Sequence, residues 1–193
     1  MAFAVTGLLD EVGALLGRVP DLVSLLETGA PEFAAATTDW LKEGEGVLSR
    51  YQRPQVAQLA GLRAQLLSAT AGVYDVKAFR LPEERTRRKQ QRAVVALLLD
   101  QGQRILGGIH DSWVARRDEA ATYMRQMVML ALQKGTFYPS WNSTAQRSEA
   151  LARVWQSFLA DPAMLAASRH VLSLVHYADA LRLLDEIATE WRL

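Results

Sequence analysis

Apolar residues recur at three- and four-residue steps along most of the chain, a spacing that predicts α-helices rather than strands. Near the N-terminus one such stripe comprises Val5, Leu8, Leu9, Val12, Leu15, Leu16 and Val19. A shorter stripe follows Pro20 and ends before Gly29, a residue type that commonly terminates helices. The pattern therefore predicts two short helices within residues 1–30.

A third helical pattern opens at Pro31 and Glu32, because proline suits the first turn and an acidic residue there complements the helix dipole. Its apolar stripe reaches Tyr51, and another stripe begins directly after Pro54. The connection is very short, so the two helices should lie antiparallel. We therefore expect a helical hairpin over residues 31–75.

The middle of the chain predicts one long helix. Pro82 suits the first helical turn, and apolar positions then stay in phase until Lys134 and Gly135, where the first obvious stop occurs. We predict a long central helix over about residues 82–134. A bend at Gly107-Gly108, or a break into two helices there, is the alternative.

The C-terminal part of the chain predicts two more helices. The segment GTFYPSWNS is the one substantial loop, and after it Ser143 and Gln146 resemble a capping box. Asp161-Pro162 then starts a last helix, which gives a helical pair over residues 143–193.

Together these patterns predict one all-α domain over residues 1–193. It would be a bundle of six to seven mostly antiparallel helices, several of them long enough for coiled-coil-like packing. The composition agrees, since half of the residues are hydrophobic and helix formers abound, which is enough for a sizeable core.

The composition also restricts the chemistry and the compartment. The chain has no cysteine, which excludes disulfides, thiolate nucleophiles and zinc or iron–sulfur sites held by thiolates. The apolar N-terminus has no basic start and is interrupted by Asp10 and Glu11, so it does not resemble a signal peptide. No apolar run is long enough to span a bilayer. We expect a cytoplasmic protein without a membrane partner.

The net charge of +1 conceals an asymmetry along the chain. Residues 1–50 carry a net charge of −5, residues 51–134 one of +7, and residues 135–193 one of −1. Such a distribution either pairs within the fold or leaves a basic surface open to an external polyanion.

The segment LPEERTRRKQQR, residues 81–92, is the most charged stretch of the chain, with five bases against two acids. On a helix, Arg85, Arg88, Lys89 and Arg92 share one face, and Arg117 falls near the same side if the helix is unbroken. These five residues are the candidate polyanion-binding residues, since spaced cations can meet a phosphate backbone. The interpretation we favour is a solvated face paired with the acidic N-terminal third.

The loop before the C-terminal helices places Phe137, Tyr138 and Trp141 within a few residues of one another. Large aromatic side chains are costly to leave in water. They either pin the loop onto the bundle, which we favour, or form a contact site for a partner.

The residues that carry most catalytic and metal chemistry show no recognisable arrangement. His110, His170 and His176 lack the spacing of a helical metal site, and the acid pairs Asp39/Glu43 and Glu186/Glu190 sit among other charges. No nucleophile elbow, phosphate loop or dinucleotide fingerprint occurs. We therefore predict no catalytic residues, no metal and no cofactor.

The sequence thus predicts a non-enzymatic structural or adaptor subunit. It would act through protein–protein contacts, either in a larger assembly of bacterial type or as a homo-oligomer. The alternative is a nucleic-acid backbone-binding subunit that uses the basic face of residues 85–92. These two hypotheses differ in the surface that they require.

Overall fold

A computed structural model describes residues 5–74, 79, 86–137 and 144–192 of the chain. Of these residues about 85% are helical, and none forms a strand. The helices are α1 (Val5–Gly17), α2 (Val19–Thr28), α3 (Phe33–Arg50), α4 (Val56–Thr70), α5 (Arg87–Gln133), α6 (Thr144–Ala160), α7 (Pro162–Leu174) and α8 (Tyr177–Glu190). The prediction of an all-α bundle is confirmed.

The long central helix is confirmed as well. Helix α5 contains 47 residues and runs through Gly107 and Gly108 without interruption. A Cβ atom added to either glycine would meet no other heavy atom within 4 Å among the described residues. The glycine pair therefore neither breaks the helix nor serves a close contact. The helix begins later than predicted, because Thr86 is not helical and α5 starts at Arg87, whereas Pro82 itself lies outside the described residues.

The described residues form eight helices, one more than the upper limit of the predicted six to seven, because the segment predicted as the last helix is divided. Val175 and His176 adopt extended backbone conformations, so α7 ends at Leu174 and α8 begins at Tyr177. Residues 143–193 accordingly hold three helices instead of the predicted pair. Val175 is buried like a helical core residue. The apolar pattern is therefore continuous across the break and conceals it.

The chain forms two compact units. Unit 1 comprises Met1–Gly7 and Ser112–Leu193, and unit 2 comprises Leu8–Asp111. Helix α5 therefore contributes residues to both units. The prediction of a single domain stays a prediction.

Unit 2 is built around the hairpin of α3 and α4. Arg63 pairs with Glu45 at 2.6 Å across it, and the short connection at residues 51–55 makes the two helices antiparallel. Trp40 is fully buried in this unit and donates from Nε1 to the carbonyl oxygen of Leu15 at 2.8 Å. The core of unit 2 thus combines apolar packing with a satisfied indole N–H.

Close packing in unit 2 depends on Gly102 of α5. A Cβ atom placed on Gly102 would lie 2.8 Å from Cζ3 of Trp40 and 2.9 Å from Cδ2 of Leu41. Both distances are well inside van der Waals contact. Glycine therefore allows α5 to approach the buried face of α3.

At the end of α3, Tyr51 makes a polar contact with α1. Its hydroxyl donates to Glu11 Oε1 at 2.9 Å, and Arg50 forms an ion pair with the same carboxylate. Burial raises the pKa of the Tyr51 phenol, and the hydrogen bond to Glu11 raises this pKa further. The carboxylate therefore ties the end of α3 to α1.

The core of unit 1 is formed by α6, α7, α8 and the part of α5 that follows Ser112. Its largest fully buried side chains are Trp155, Phe158 and Met124. Helix α7 packs on α5, where Ser168 Oγ lies 3.3 Å from Met127 Sδ. Asp161 caps α7 by accepting from the N–H of Ala163 at 2.9 Å.

Candidate functional site

The start of α5 is the surface that the sequence singled out, and the structure shows how its bases are used. Arg88 and Lys89 are exposed, and neither forms an ion pair within the part of the chain that the structure describes. Arg92 is half-buried and donates from Nη2 to the carbonyl oxygen of Ala30 at 3.4 Å. Arg85 lies outside the described residues. Of the described basic residues on this face, Arg88 and Lys89 are therefore open to solvent, whereas Arg92 is engaged within the fold.

Several acids of the N-terminal third pair with bases other than those of the predicted basic face. Glu43 binds Arg18 at 2.6 Å, Glu45 binds Arg63, and Glu11 binds Arg50. In the described residues no carboxylate of residues 1–50 pairs with Arg88, Lys89 or Arg92. The expectation that the acidic third would neutralise the basic face therefore finds no ion pair to support it.

Arg92 lies at the C-terminal end of α2, where helix carbonyl groups lack partners. Gly29 ends this helix in a left-handed conformation with φ of 78°. The guanidinium lies directly over Gly29, since a Cβ atom added there would be 3.1 Å from Arg92 Nη1. A cation at this position is favourable because the end of the helix dipole is negative.

Gln91 has the equivalent role at the end of α4. Its Nε2 donates to the carbonyl oxygens of Ala69 at 3.0 Å and Thr70 at 2.9 Å. The hydroxyl of Tyr74 also donates to the carbonyl oxygen of Arg87 at 3.2 Å. The first turns of α5 are therefore anchored to the ends of α2 and α4.

An open cleft of about 260 Å³ lies beside these anchors in unit 2. Its polar lining residues are Thr70, Arg88, Gln91 and Arg92, and its apolar lining residues are Ala30, Pro31, Phe33, Ala34 and Val95. None of these residues is acidic. We call this feature the α5 cleft. It combines two guanidinium groups with an apolar floor.

The remaining candidates from the sequence are placed differently. Arg117 belongs to unit 1 and forms an ion pair with Glu186 at 2.6 Å, so its charge is matched within the protein. Phe137 is 4% exposed and lies in the core of unit 1. Tyr138 and Trp141 lie outside the described residues.

Two of the histidines act in helix contacts of unit 1. Nδ1 of His176 accepts from the N–H of Ala178 at 3.3 Å and so caps α8. Nε2 of His170 lies 2.9 Å from Glu119 Oε1. Across residues 5–74, 79, 86–137 and 144–192, no three His, Asp or Glu side chains form a group that could hold a metal ion.

Asp179 is the residue that the sequence analysis missed. Its carboxylate is 5% exposed and accepts from the N–H of Val5 at 2.7 Å, from the N–H of Thr6 at 3.2 Å and from Thr6 Oγ1 at 2.8 Å. It also lies in the first turn of α8. One carboxylate thus stands at two helix N-termini in unit 1. No local pattern indicates this, because the partners are more than 170 residues apart in the chain.

The fold defines the class of this protein as an all-α helical bundle. None of the helices in the described part of the chain is both long enough and apolar enough to cross a bilayer. Comparisons of the chain with family models, with characterised proteins and with solved structures found no match.

Proposed function

We propose that the protein is a non-enzymatic helical subunit that acts through protein–protein contacts. The observation that carries this proposal is an apolar pair on the surface of α5. Met129 is 51% exposed and Leu132 is 38% exposed, and they are three positions apart along the helix. Residues at this spacing lie on one helix face, so both can enter the same groove of a partner.

The chemistry of these two side chains supports the proposal. Methionine adapts its shape to irregular surfaces, and it is frequent in surfaces that bind partner helices. The polar residues Gln126 and Gln133 are exposed beside the pair, which resembles the polar rim of an interface. We call the four residues the α5 contact face.

The non-enzymatic part of the proposal rests on how the acid–base residues are used. Of the acid pairs found in the sequence, Glu43 binds Arg18, Glu186 binds Arg117, and Glu190 lies 3.5 Å from Arg125. Carboxylates that are exposed and ion-paired lack the buried cleft that moves the pKa values of catalytic acids apart. Their structural roles agree with a protein that works by contact.

The test replaces Met129 and Leu132 together by lysine. The matched control replaces Gln101 and Gln103 by lysine, because these exposed residues of α5 lie outside the contact face and the change adds the same charge to the same helix. Light scattering would measure self-association, and a pull-down from nuclease-treated native lysate would measure partner capture. We expect the Met129/Leu132 variant to lose the association and the control to keep it.

Circular dichroism would verify that both variants remain helical. A wild-type protein that is monomeric and captures no partner would overturn the proposal. So would an association that the Met129→Lys/Leu132→Lys variant retains in full.

A second function is favoured by the exposure of Arg88 and Lys89. We propose as the alternative that these residues bind the phosphate backbone of a nucleic acid. Such binding releases counterions, so the affinity should fall steeply with salt, with a slope of about 0.9 per phosphate contact on duplex DNA. Removing the charges of Arg88 and Lys89 should therefore reduce the magnitude of the slope by about twice this amount.

Filter binding at several salt concentrations would measure this slope for wild-type protein and for the Arg88→Gln/Lys89→Gln variant. Arg104→Gln is the control, because Arg104 is an exposed cation of the same helix that already pairs with Asp100. If neither DNA nor RNA is retained at low salt, the alternative is wrong.

A further inference from the structure

We infer that the α5 cleft binds a small organic anion, a carboxylate or phosphate monoester that carries an apolar group. The charged group would meet Arg88 and Arg92, and the apolar group would lie on Ala30, Pro31 and Ala34. This inference concerns a small ligand and does not depend on the α5 contact face. An experiment can therefore reject this inference without rejecting the proposed α5 contact face, and the reverse.

The positive charge of the cleft favours an anionic ligand. Arg88 is exposed, and within the described ranges no carboxylate neutralises it. Arg92 uses one N–H on the carbonyl oxygen of Ala30, and a guanidinium has five such donors. With no acid among the lining residues, an anion entering the cleft meets two cations without a competing carboxylate.

The backbone at the start of α3 adds to this preference. The N–H of Phe33 donates to Ala30 and the N–H of Ala36 donates to Glu32, whereas no acceptor outside the helix is found for Ala34 among the described residues. The first N–H groups of a helix have no acceptor within it, so the N–H of Ala34 remains a donor. Ala34 lines the cleft, so this N–H is a further donor there, while the exposed Glu32 at the N-cap of α3 already offsets part of the helix dipole.

The apolar lining of the cleft is the reason to expect an organic anion and not an inorganic one. Phe33 and Val95 are only 2% and 1% exposed, whereas Pro31 is exposed and Ala30 and Ala34 are half-buried. The apolar surface that a ligand can cover therefore belongs to Ala30, Pro31 and Ala34. The cleft has a volume of about 260 Å³. This space exceeds what a bare inorganic anion occupies. An apolar group on the ligand would displace water from a surface that water solvates poorly.

The walls of the cleft are already fixed without a ligand. Gln91 is held by the carbonyl oxygens at the end of α4, and Arg92 is held by the end of α2. Side chains ordered in advance do not lose their rotamer freedom on binding. Arg88 is the one basic lining residue that would still have to order itself.

Titration calorimetry with chosen probes tests the inference on the intact chain. Hexanoate and phenyl phosphate combine an anion with an apolar group. Hexanamide lacks the charge, while acetate and inorganic phosphate lack the apolar group. We expect saturable binding of the first two probes and binding at least about tenfold weaker for the other three, because each loses one of the two interactions.

Three variants locate the site. Arg88→Gln removes one charge-assisted hydrogen bond and should weaken hexanoate binding about 10- to 100-fold. Lys89→Gln removes the same charge from the neighbouring exposed residue, which does not line the cleft, and should leave binding unchanged. Ala34→Leu fills the cleft and should abolish binding, while circular dichroism verifies that the helices remain.

Three results would overturn the inference. The first is that neither hexanoate nor phenyl phosphate binds saturably up to its solubility limit. The second is that Lys89→Gln weakens binding as much as Arg88→Gln does, which would indicate diffuse surface charge. The third is that Ala34→Leu binds as well as wild type, which would place the ligand elsewhere.

Discussion

Replacing Asp179 by alanine removes the acceptor that holds the first turn of α1 in unit 1. The carboxylate accepts from Val5 N at 2.7 Å, Thr6 N at 3.2 Å and Thr6 Oγ1 at 2.8 Å. Asp179 is only 5% exposed, so water has little access to the donors that would be left behind. We therefore expect a destabilised protein.

The magnitude follows from the kinds of interaction that are lost. Removal of a helix N-cap costs about 0.5–2 kcal/mol, and a hydrogen bond to a charged group contributes about 1.5–3 kcal/mol. Fraying of the first turn would let water reach the freed N–H groups, so the total loss of stability should be smaller than the sum of these contributions. We expect the free energy of unfolding to fall by about 3 kcal/mol for Asp179→Ala. At about 2–4 °C per kcal/mol, Tm falls by about 6–12 °C.

A double-mutant cycle with Thr6→Val separates the hydroxyl contact from the backbone contacts. Because Asp179 accepts the Thr6 hydroxyl directly, the two substitutions should be coupled by about 1 kcal/mol in urea denaturation. Asp118→Ala is the control, since this acid is exposed on α5 and its loss should change stability by less than about 0.5 kcal/mol. A change for Asp179→Ala as small as that of the control, or no coupling with Thr6, would refute the reasoning.

Three further predictions concern packing and pH. Gly102→Ala should destabilise unit 2 by about 1–2 kcal/mol in urea denaturation, because its Cβ would lie 2.8 Å from the Trp40 ring. Gly108→Ala in the same helix meets open space, so its higher helix propensity should stabilise by up to about 1 kcal/mol, and destabilisation there would contradict the structure. The hydrogen bond from Lys134 at 2.5 Å, and then that from Ala163, hold the pKa of Asp161 below its usual value. Its stabilising effect is therefore present above about pH 4 and lost as the pH falls through the lowered pKa, so the stability difference between wild type and Asp161→Asn should shrink in acid.

The sequence could reveal the helices because their signals are local. The apolar stripe that reaches Ala131 in α5 stays in phase through Gly107 and Gly108, and the helix is continuous there. The short connection after Tyr51 likewise indicated the hairpin of α3 and α4. By contrast, the end of α7 at Leu174 was hidden, because a buried residue in extended conformation continues the apolar pattern.

The candidate site could be predicted only in part. The spacing of Arg88, Lys89 and Arg92 places them on one face of a helix whatever surrounds it. Whether each cation is open or engaged depends on which helix ends lie beside α5, and the sequence contains no local signal for that. The structure leaves Arg88 and Lys89 exposed and sets Arg92 against Gly29 and Ala30.

The sequence by itself thus determined the all-α class and the long helix, because helix periodicity is visible in apolar residues three and four positions apart. The tertiary structure alone decided the α5 cleft and the contacts of Asp179 with Val5 and Thr6. Both depend on groups far apart in the chain, since a cleft forms only where the ends of separate helices meet. A buried carboxylate, in turn, is stable only where packing supplies its donors.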